Sequence, residues 1–314
     1  MKVSEHLPVP YHETLRVMDS TKMQAYMTCP RKFFYEFVLG YRPVEKNHNL
    51  IFGSAWHKAK DIIFTEGYSV ESVEKGVEAF LEEYRTQFSE ETDMDFHPKS
   101  PGNAEIALFE YVKQYAQFDS FKVLHTEVGI AVPIGADRVL YGKMDAINHD
   151  ELRGYFSLET KTAGAHWSYW DDQWLQKFQI SAYAHFLYCH YPPDEVYGVI
   201  IDGSIFKKSG NEHVRVPVPL TIEWLESWLW EANVWYDRLE EDYKRLEMVS
   251  ESDAVMKAFP RCTESCVKYN RMCPLFEVCH ARRNPTRDYD SLPAGIMIEH
   301  WDPRREEVKE KIGV

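Results

Sequence analysis

Long apolar segments are missing from this 314-residue sequence. None of its apolar runs reaches the roughly 18 residues that a membrane-spanning helix needs, and the first residues lack the apolar core of a secretory signal. We therefore expect a cytoplasmic protein that has no membrane partner and comes from a bacterium or a phage.

Positive charge is also scarce. The sequence has 36 Lys and Arg residues against 50 Asp and Glu residues, which gives a formal net charge of −14. This balance argues against a protein that coats nucleic acid non-specifically through a broad basic surface. It does not exclude phosphate chemistry at a site where carboxylates hold divalent metal ions, because the metals then supply the positive charge.

The rest of the composition is typical of a folded globular protein, with 44% hydrophobic residues and nine tryptophans. Residue periodicity predicts helices at 20–39, from about 53, at 70–88, 103–120, 172–191 and 221–248, and strands at 123–134, 138–149, 154–161, 195–206 and 212–218. Pro30 predicts a kink near Cys29. We expect a lead-in at 1–19, one α/β domain at 20–284 and a loosely held tail at 285–314.

Each of the three central predicted strands carries an ionisable residue: Glu127 in the first, Asp145 in the second, and Glu159 with Lys161 in the third. Glu159 and Lys161 share one face of their strand because side chains two residues apart point the same way. Carboxylates that meet on one sheet repel by roughly 4 kcal/mol per pair at about 4 Å and an effective dielectric near 20. A divalent cation removes that cost and can activate water beside a phosphodiester. Singly, each residue could be a solvated strand or turn residue, but the ordered set predicts a metal site.

Two further motifs flank these strands. His57 lies on a predicted helix, where it could also form an ordinary pair with Asp61 at i+4. Gln179 and Tyr183 are four residues apart on another predicted helix and share one face, as polar residues at the edge of a core also do.

In order, these motifs resemble the RecB-like branch of the PD-(D/E)XK nuclease superfamily over about residues 20–280. The matching motifs are Ser20, Tyr26, Cys29-Pro30 and Phe33, then Gly53-x-x-x-His57, Glu127, Gly142-x-x-Asp145, Glu159-x-Lys161 and Gln179-x-x-x-Tyr183. The resemblance implies an α/β, restriction-endonuclease-like fold: a mixed central sheet flanked by helices, with helical insertions and a C-terminal cysteine cluster.

The resemblance also implies roles for these residues. His57, Asp145 and Glu159 would hold Mg²⁺ or Mn²⁺, with Asp145, Glu159 and Lys161 forming the catalytic set. Gln179 and Tyr183 would support the site and the nucleic acid. Glu127 matches an acidic position whose role varies within the family.

The six cysteines include three near the C-terminus that, with Cys29, resemble the iron–sulfur ligands of CRISPR-associated RecB-like and AddB-type nucleases. The set is Cys29, Cys266, Cys273 and Cys279, and it would hold a [4Fe–4S] cluster. Its first C-terminal spacing is wider than the family's usual one, and Cys262 is an additional candidate ligand. A local Zn²⁺ site made of Cys262, Cys266, Cys273 and Cys279 is an alternative, as are unligated cysteines. We expect Cys189 to be a small buried residue.

The function implied is metal-dependent hydrolysis of DNA phosphodiester bonds, by an exonuclease that acts on single strands or free ends in recombination, repair or replication. The sequence lacks the G-x-x-x-x-G-K-S/T phosphate-binding pattern, so a helicase or recombination partner would have to unwind duplex DNA. The alternatives are a catalytically silent scaffold that binds DNA or a partner protein, and a zinc-stabilised protein of unrelated function. Aromatic and basic residues at 31–42 would either stack on bases or form a basic face over an aromatic core.

Overall fold

A computed structural model describes residues 3–268, 271–305 and 308–313. The first two residues of the predicted lead-in, residues 269–270 of the cysteine segment, and residues 306–307 and 314 of the predicted tail lie outside the described residues. The helices are α1 (Ser20–Thr28), α2 (Pro30–Phe33), α3 (His48–Glu66), α4 (Val70–Tyr84), α5 (Pro101–Tyr115), α6 (Phe178–His190), α7 (Ile222–Glu247) and α8 (Phe276–Ala281). No helix within the described residues is long and apolar enough to cross a membrane.

The strands form one large mixed sheet and two small antiparallel pairs. They are β1 (Met18–Asp19), β2 (Tyr41–Pro43), β3 (Lys122–Gly135), β4 (Arg138–Asp150), β5 (Gly154–Ala163), β6 (Val196–Lys207), β7 (Gly210–Val218), β8 (Val267–Lys268), β9 (Arg271–Met272), β10 (Ile296–Ile298) and β11 (Glu310–Gly313). The large sheet has the order β11-β3-β4-β5-β6-β7, and β1 pairs with β4 off this path. Its β3–β4, β4–β5 and β6–β7 pairs are antiparallel, while β5–β6 and β11–β3 are parallel.

Helices cover both faces of this sheet. Successive residues of β6 show the two layers, because side chains alternate between the faces of a strand. Val199 and Ile201 pack in the core that contains residues of α1, α6 and α7, whereas Ile200 packs with Phe64 of α3. The predicted fold class, a mixed sheet flanked by helices, is confirmed.

The break in the first helix is where the sequence predicts it. Cys29 has an extended backbone, with φ −163° and ψ 106°, and Pro30 begins α2 at a position where the missing N–H costs no hydrogen bond. Phe34–Val38 then form a π-helical turn. Phe33, Phe34 and Tyr35 are at most 1% exposed. Of the two alternatives for this segment, these three rings therefore form the aromatic core and are not available to stack on bases.

The expectation of a loosely held tail is wrong for the described residues after 284. Strand β10 pairs with β2, and β11 adds a parallel edge strand beside β3. Trp301 Nε1 also donates to Asp19 Oδ2 at 2.8 Å. These contacts fasten the C-terminal segment to the sheet, while the division of the chain at residues 19/20 and 284/285 stays a prediction.

Candidate active site

The carboxylates of the three central strands form a row across the sheet. Thr126 pairs with Ala146 and Val128 with Met144, which sets Glu127 across from Asp145. Ala146 pairs with Leu158 on the next strand, so Asp145 and Glu159 lie in the same row. Strand register therefore places three acidic residues from three strands in one row.

Helix α3 brings His57 to this row. His57 Nδ1 lies 3.1 Å from Asp145 Oδ1, and the other oxygen of Asp145 accepts from the backbone N–H of Thr160 at 2.7 Å. The local pair that the sequence also allowed is replaced, because Asp61 accepts from Lys309 Nζ at 2.8 Å. Asp145 is thus fixed from β5 and turned towards the histidine.

Lys161 lies within a chain of hydrogen bonds that leads to α6. Its Nζ donates to Glu159 Oε1 at 2.6 Å and to Gln179 Oε1 at 3.3 Å. The Gln179 amide donates to the Tyr183 hydroxyl at 2.9 Å, and that hydroxyl donates to the carbonyl oxygen of Lys143. The glutamine–tyrosine face of α6 therefore orients the lysine.

Gly142 explains part of the glycine–aspartate motif. A Cβ atom at this position would lie 3.3 Å from Tyr183 Cε1 and 3.3 Å from Ile130 Cγ1, closer than most such contacts. The absence of a side chain allows the tyrosine ring to pack over β4 three residues before Asp145.

Glu127 completes a set of candidate metal ligands. One ligand atom each from His57, Glu127 and Asp145 all lie within 4.8 Å of one another. Glu127 has a positive φ of 50°, a strained conformation for a residue with a side chain, and it forms an ion pair with Lys143. The sequence resemblance placed Glu159 with His57 and Asp145 as metal ligands, and Glu127 less firmly.

Glu159 differs from these three because one of its oxygens is buried without a hydrogen-bond partner in the described part of the chain. Oε1 accepts from Lys161, whereas Oε2 is buried and has no hydrogen-bond partner among the described residues. A buried carboxylate oxygen without a partner is costly. An oxygen-seeking cation such as Mg²⁺ or Mn²⁺ would satisfy it, so the donor set fits a divalent metal.

The pKa values show how strongly these charges interact. Burial and the neighbouring Asp145 raise the pKa of Glu159 to about 7, and the same two causes raise the pKa of Glu127. Burial opposes the charge on Asp145, yet His57 and Lys161 hold its pKa below the ordinary value. The pKa of Lys161 is raised despite burial because Glu159 and Asp145 face it.

Two adjacent cavities open onto this cluster. The first is lined by His57, Asp145, Glu159, Lys161 and Gln179 together with Asp19–Thr21 at the start of α1. The second shares His57, Lys143 and Lys161 with the first and extends along the first turns of α3. The sequence analysis did not identify Asp19 and Lys143 as lining residues of this site. Asp19 could have been recognised as a helix cap, because an acidic residue before Ser-Thr often begins a helix. Its Oδ1 accepts from the Lys22 amide at 2.8 Å and so caps α1.

Five cysteines line a third cavity, on the side of the molecule where the first helix breaks. They are Cys29, Cys262, Cys266, Cys273 and Cys279. Cys29 is buried, Cys262 is exposed and the other three are half-buried. The backbone N–H of Cys262 donates to Cys29 Sγ at an N···S distance of 3.4 Å. Cys189 is exposed rather than buried because it lies near the end of α6, so that expectation is wrong.

Comparison with known proteins identifies a family. The sequence profile of the PD-(D/E)XK nuclease superfamily matches residues 20–280. No curated protein sequence matches the chain. Among solved structures, the chain described as "Crystal structure of SSO0001" is 16% identical, with 83% of this chain and 93% of that chain covered and a TM-score of 0.31.

Proposed function

The chain belongs to the PD-(D/E)XK nuclease superfamily, and we propose that it is a RecB-like member that hydrolyses DNA phosphodiester bonds as an exonuclease on single strands or free ends. The observation that supports this best is the grouping of His57, Glu127 and Asp145 within 4.8 Å, beside a glutamate–lysine pair in an open cavity. Carboxylates this close together repel one another, and a bound divalent cation would offset that repulsion.

We assign His57, Glu127 and Asp145 as ligands of Mg²⁺ or Mn²⁺, with the unpaired oxygen of Glu159 as a further ligand. A divalent ion held there supplies a Lewis acid for the phosphodiester and lowers the pKa of a bound water. His57 is oriented by Asp145, and Asp145 by the Thr160 amide, so the ligands are fixed before the substrate arrives.

Lys161 acts as a fixed cation in this proposal. In the metal-free site Glu159 and Asp145 raise its pKa, which favours the protonated form and hence a cationic role. Its ammonium group can stabilise negative charge on the phosphoryl oxygens and hold the attacking water, an effect typically worth about 10²–10³ in rate. Gln179 and Tyr183 are positioning residues, since they reach the reaction through Lys161 and the Lys143 backbone.

We further propose that Cys29, Cys266, Cys273 and Cys279 hold a [4Fe–4S] cluster. Cys29 comes from the break between α1 and α2, yet it lines the same cavity as the C-terminal cysteines, which supports a ligand set that joins the two ends of the domain. The amide of Cys262 donates to Cys29 Sγ, and hydrogen bonds of this kind to cluster sulfurs set reduction potentials. Cys262 is the alternative ligand, and it would complete a local Zn²⁺ site without Cys29.

The Cys29→Ser variant separates the two metal assignments. Anaerobically purified wild-type protein should contain iron and absorb visible light, and Cys29→Ser should lose both. The matched control is Cys189→Ser, which changes an exposed cysteine outside this cavity and should keep the cluster. Zinc that stays bound in Cys29→Ser would contradict the cluster and favour the local site.

The nuclease proposal is tested with linear and circular DNA, each single-stranded and double-stranded, in Mg²⁺ and in Mn²⁺. An exonuclease of the proposed kind degrades the linear single strand and leaves the circle intact. Cleavage of the circle would overturn the exonuclease assignment but keep the hydrolase. Binding without cleavage of any form would favour the catalytically silent scaffold.

A further inference from the structure

The second cavity contains a lysine that the proposed reaction does not use. Besides the shared His57, Lys143 and Lys161, its lining includes Glu127 at the catalytic end, and Asn49, Lys99 and Thr162. Lys99 lies directly before the cap of α5, and Thr162 follows Lys161 on β5. The cavity therefore begins at the proposed catalytic residues and leads away from them.

Lys99 is buried without an acidic partner. Its side chain is 9% exposed, and its Nζ donates to Asn49 Oδ1 at 3.1 Å and to Thr162 Oγ1 at 3.4 Å. It forms no salt bridge with any described carboxylate, whereas Lys143 pairs with Glu127 and Lys161 with Glu159. Burial lowers the pKa of Lys99 to about 8. This ammonium group is held by two neutral oxygens and lies 5.7 Å from the centre of the Phe52 ring, so it has no counter-charge among the described residues, and a bound anion would offset the cost of burying it.

The surroundings leave room for such an anion. Asn49, Gly53 and His57 follow one another at four-residue intervals and so share one face of α3. A Cβ at Gly53 would lie 3.8 Å from Thr162 Oγ1 and would meet no other described atom within 4 Å outside its own helical turn, so the glycine keeps the space between α3 and the end of β5 open. Asn49, which lines this cavity, accepts from Lys99 through Oδ1, and its amide nitrogen is a further donor.

We propose that Lys99, with Asn49 and Thr162, binds a non-scissile phosphate of the nucleic-acid strand whose neighbouring phosphate is cut beside Lys161. This rests on the proposed function, because it places the second phosphate on the same strand as the scissile one. One cationic donor, one amide and one hydroxyl match the several acceptor oxygens of a phosphodiester. The subsite requires a substrate with consecutive phosphates and contributes to binding rather than to the chemical step.

The test uses single-stranded oligonucleotides in which one phosphate at a time is replaced by a neutral methylphosphonate. Binding is measured by fluorescence anisotropy with Mg²⁺, in a Lys161→Ala background that removes the proposed catalytic cation. With Lys99 present, neutralising one particular phosphate should weaken binding. With Lys99→Met, binding of the unmodified strand is already weaker, and neutralising that same phosphate has no further effect. Equal losses in both proteins at every position would overturn the proposal.

Salt dependence provides the second readout. One lost phosphate contact reduces the slope of log affinity against log salt by about 0.7 for a single strand. Raising the salt from about 50 to about 200 mM should therefore weaken the Lys99→Met complex about threefold less than the complex that keeps Lys99. Lys99→Arg should keep the original slope, and Lys244→Met should too, since Lys244 is exposed on α7 and lines neither cavity. An unchanged slope in folded Lys99→Met would contradict the subsite.

Cleavage assays with Lys161 intact separate this proposal from the nuclease proposal. If the wild-type protein cuts DNA, Lys99→Met should raise KM and leave kcat within about twofold, as expected for an interaction equal in the ground and transition states. A wild-type protein that cuts nothing would contradict the nuclease function, while the methylphosphonate scan would still decide whether Lys99 binds phosphate. A fall in kcat with unchanged KM would overturn the subsite and leave the nuclease in place.

Discussion

Asp202→Asn is expected to destabilise the fold more than a single substitution usually does. Asp202 is fully buried on β6, next to Thr160 of β5, and its Oδ2 accepts from Lys60 Nζ at 2.7 Å and from the Tyr111 hydroxyl at 2.8 Å. Arg215 Nε lies 3.5 Å from the other oxygen. Although burial opposes its charge, Lys60 and Arg215 hold the pKa of Asp202 below the ordinary value.

The size of the expected destabilisation depends on which positively charged residue loses its partner. Arg215 keeps a second carboxylate, because its Nη2 donates to Asp119 Oδ2 at 2.7 Å. Lys60 is 1% exposed, and burial lowers its pKa to about 7 even though Asp202 raises it. An asparagine would therefore leave a buried lysine that either gives up its proton or carries a charge without a partner. Removing one partner of such a pair costs about 3–5 kcal/mol, a large part of the 5–15 kcal/mol by which domains are usually stable.

Urea denaturation of the metal-free protein measures this cost. Glu66→Gln is the matched control, because Glu66 also lies on α3 and pairs with Lys75 at 2.6 Å, but the two side chains are 37% and 56% exposed. That exposed pair is expected to contribute at most about 1 kcal/mol. The double variant Lys60→Met with Asp202→Asn should be more stable than Asp202→Asn alone, since no lysine charge is then stranded. A loss of about 1 kcal/mol or less for Asp202→Asn, equal to the control, would refute the reasoning.

Two further predictions concern pH and packing. Burial, with Lys60 nearby, lowers the pKa of His213 to about 4, so below its ordinary value of 6.5 the unfolded chain binds a proton that the folded chain does not. Acidification from pH 7 to pH 5 should therefore lower the free energy of unfolding by about 2 kcal/mol through this group. The His213→Asn variant should lack that loss when both proteins are denatured at the two pH values. An identical response to acid in both proteins would contradict the assignment to His213. A Cβ at Gly203 would lie 2.2 Å from Trp170 Cη2, so Gly203→Ala should cost about 1–3 kcal/mol. Gly164→Ala, which meets nothing within 4 Å, should stay close to wild type in thermal unfolding, and equal melting temperatures for the two variants would count against this packing argument.

Local patterns predicted the scaffold of the site well. The three strands expected at 123–134, 138–149 and 154–161 are Lys122–Gly135, Arg138–Asp150 and Gly154–Ala163, because alternation and turn residues mark them in the sequence. The long helix expected at 221–248 is Ile222–Glu247, where apolar residues recur with helical period. Helix α3 starts five residues earlier than expected because the Asn47 side chain accepts from the Asn49 amide and caps it.

Long-range pairings were beyond what the sequence reveals. Asp202 lies in the middle of a largely apolar strand, which signals a buried charge that needs a partner. The partner, Lys60, lies 142 residues earlier on α3, and the sequence of that helix does not indicate that this lysine pairs with Asp202. The edge strand β11 is only four residues long and pairs with a strand about 180 residues away, so its sequence is too short to show the alternation of apolar and polar residues that predicts a strand.

The ligand set shows the same limit. The motif order brought His57, Asp145 and Glu159 together, but the position of Glu127 depends on a positive φ and on an ion pair with Lys143. A residue with a side chain rarely adopts that backbone conformation, and no spacing rule predicts it. The unpartnered oxygen of Glu159, and the burial of Lys99 without an acidic partner among the described residues, are likewise consequences of packing.

The most direct test of the central claim compares wild-type protein with Lys161→Ala on labelled single-stranded DNA, with Mg²⁺ or Mn²⁺ present, while binding is followed in parallel. The proposed roles predict that the wild-type protein cleaves, that Lys161→Ala cleaves at least about 10²-fold more slowly, and that the two bind DNA within a few-fold of each other. Wild-type cleavage that Lys161→Ala reproduces at the same rate would contradict the assignment of this cluster as the active site.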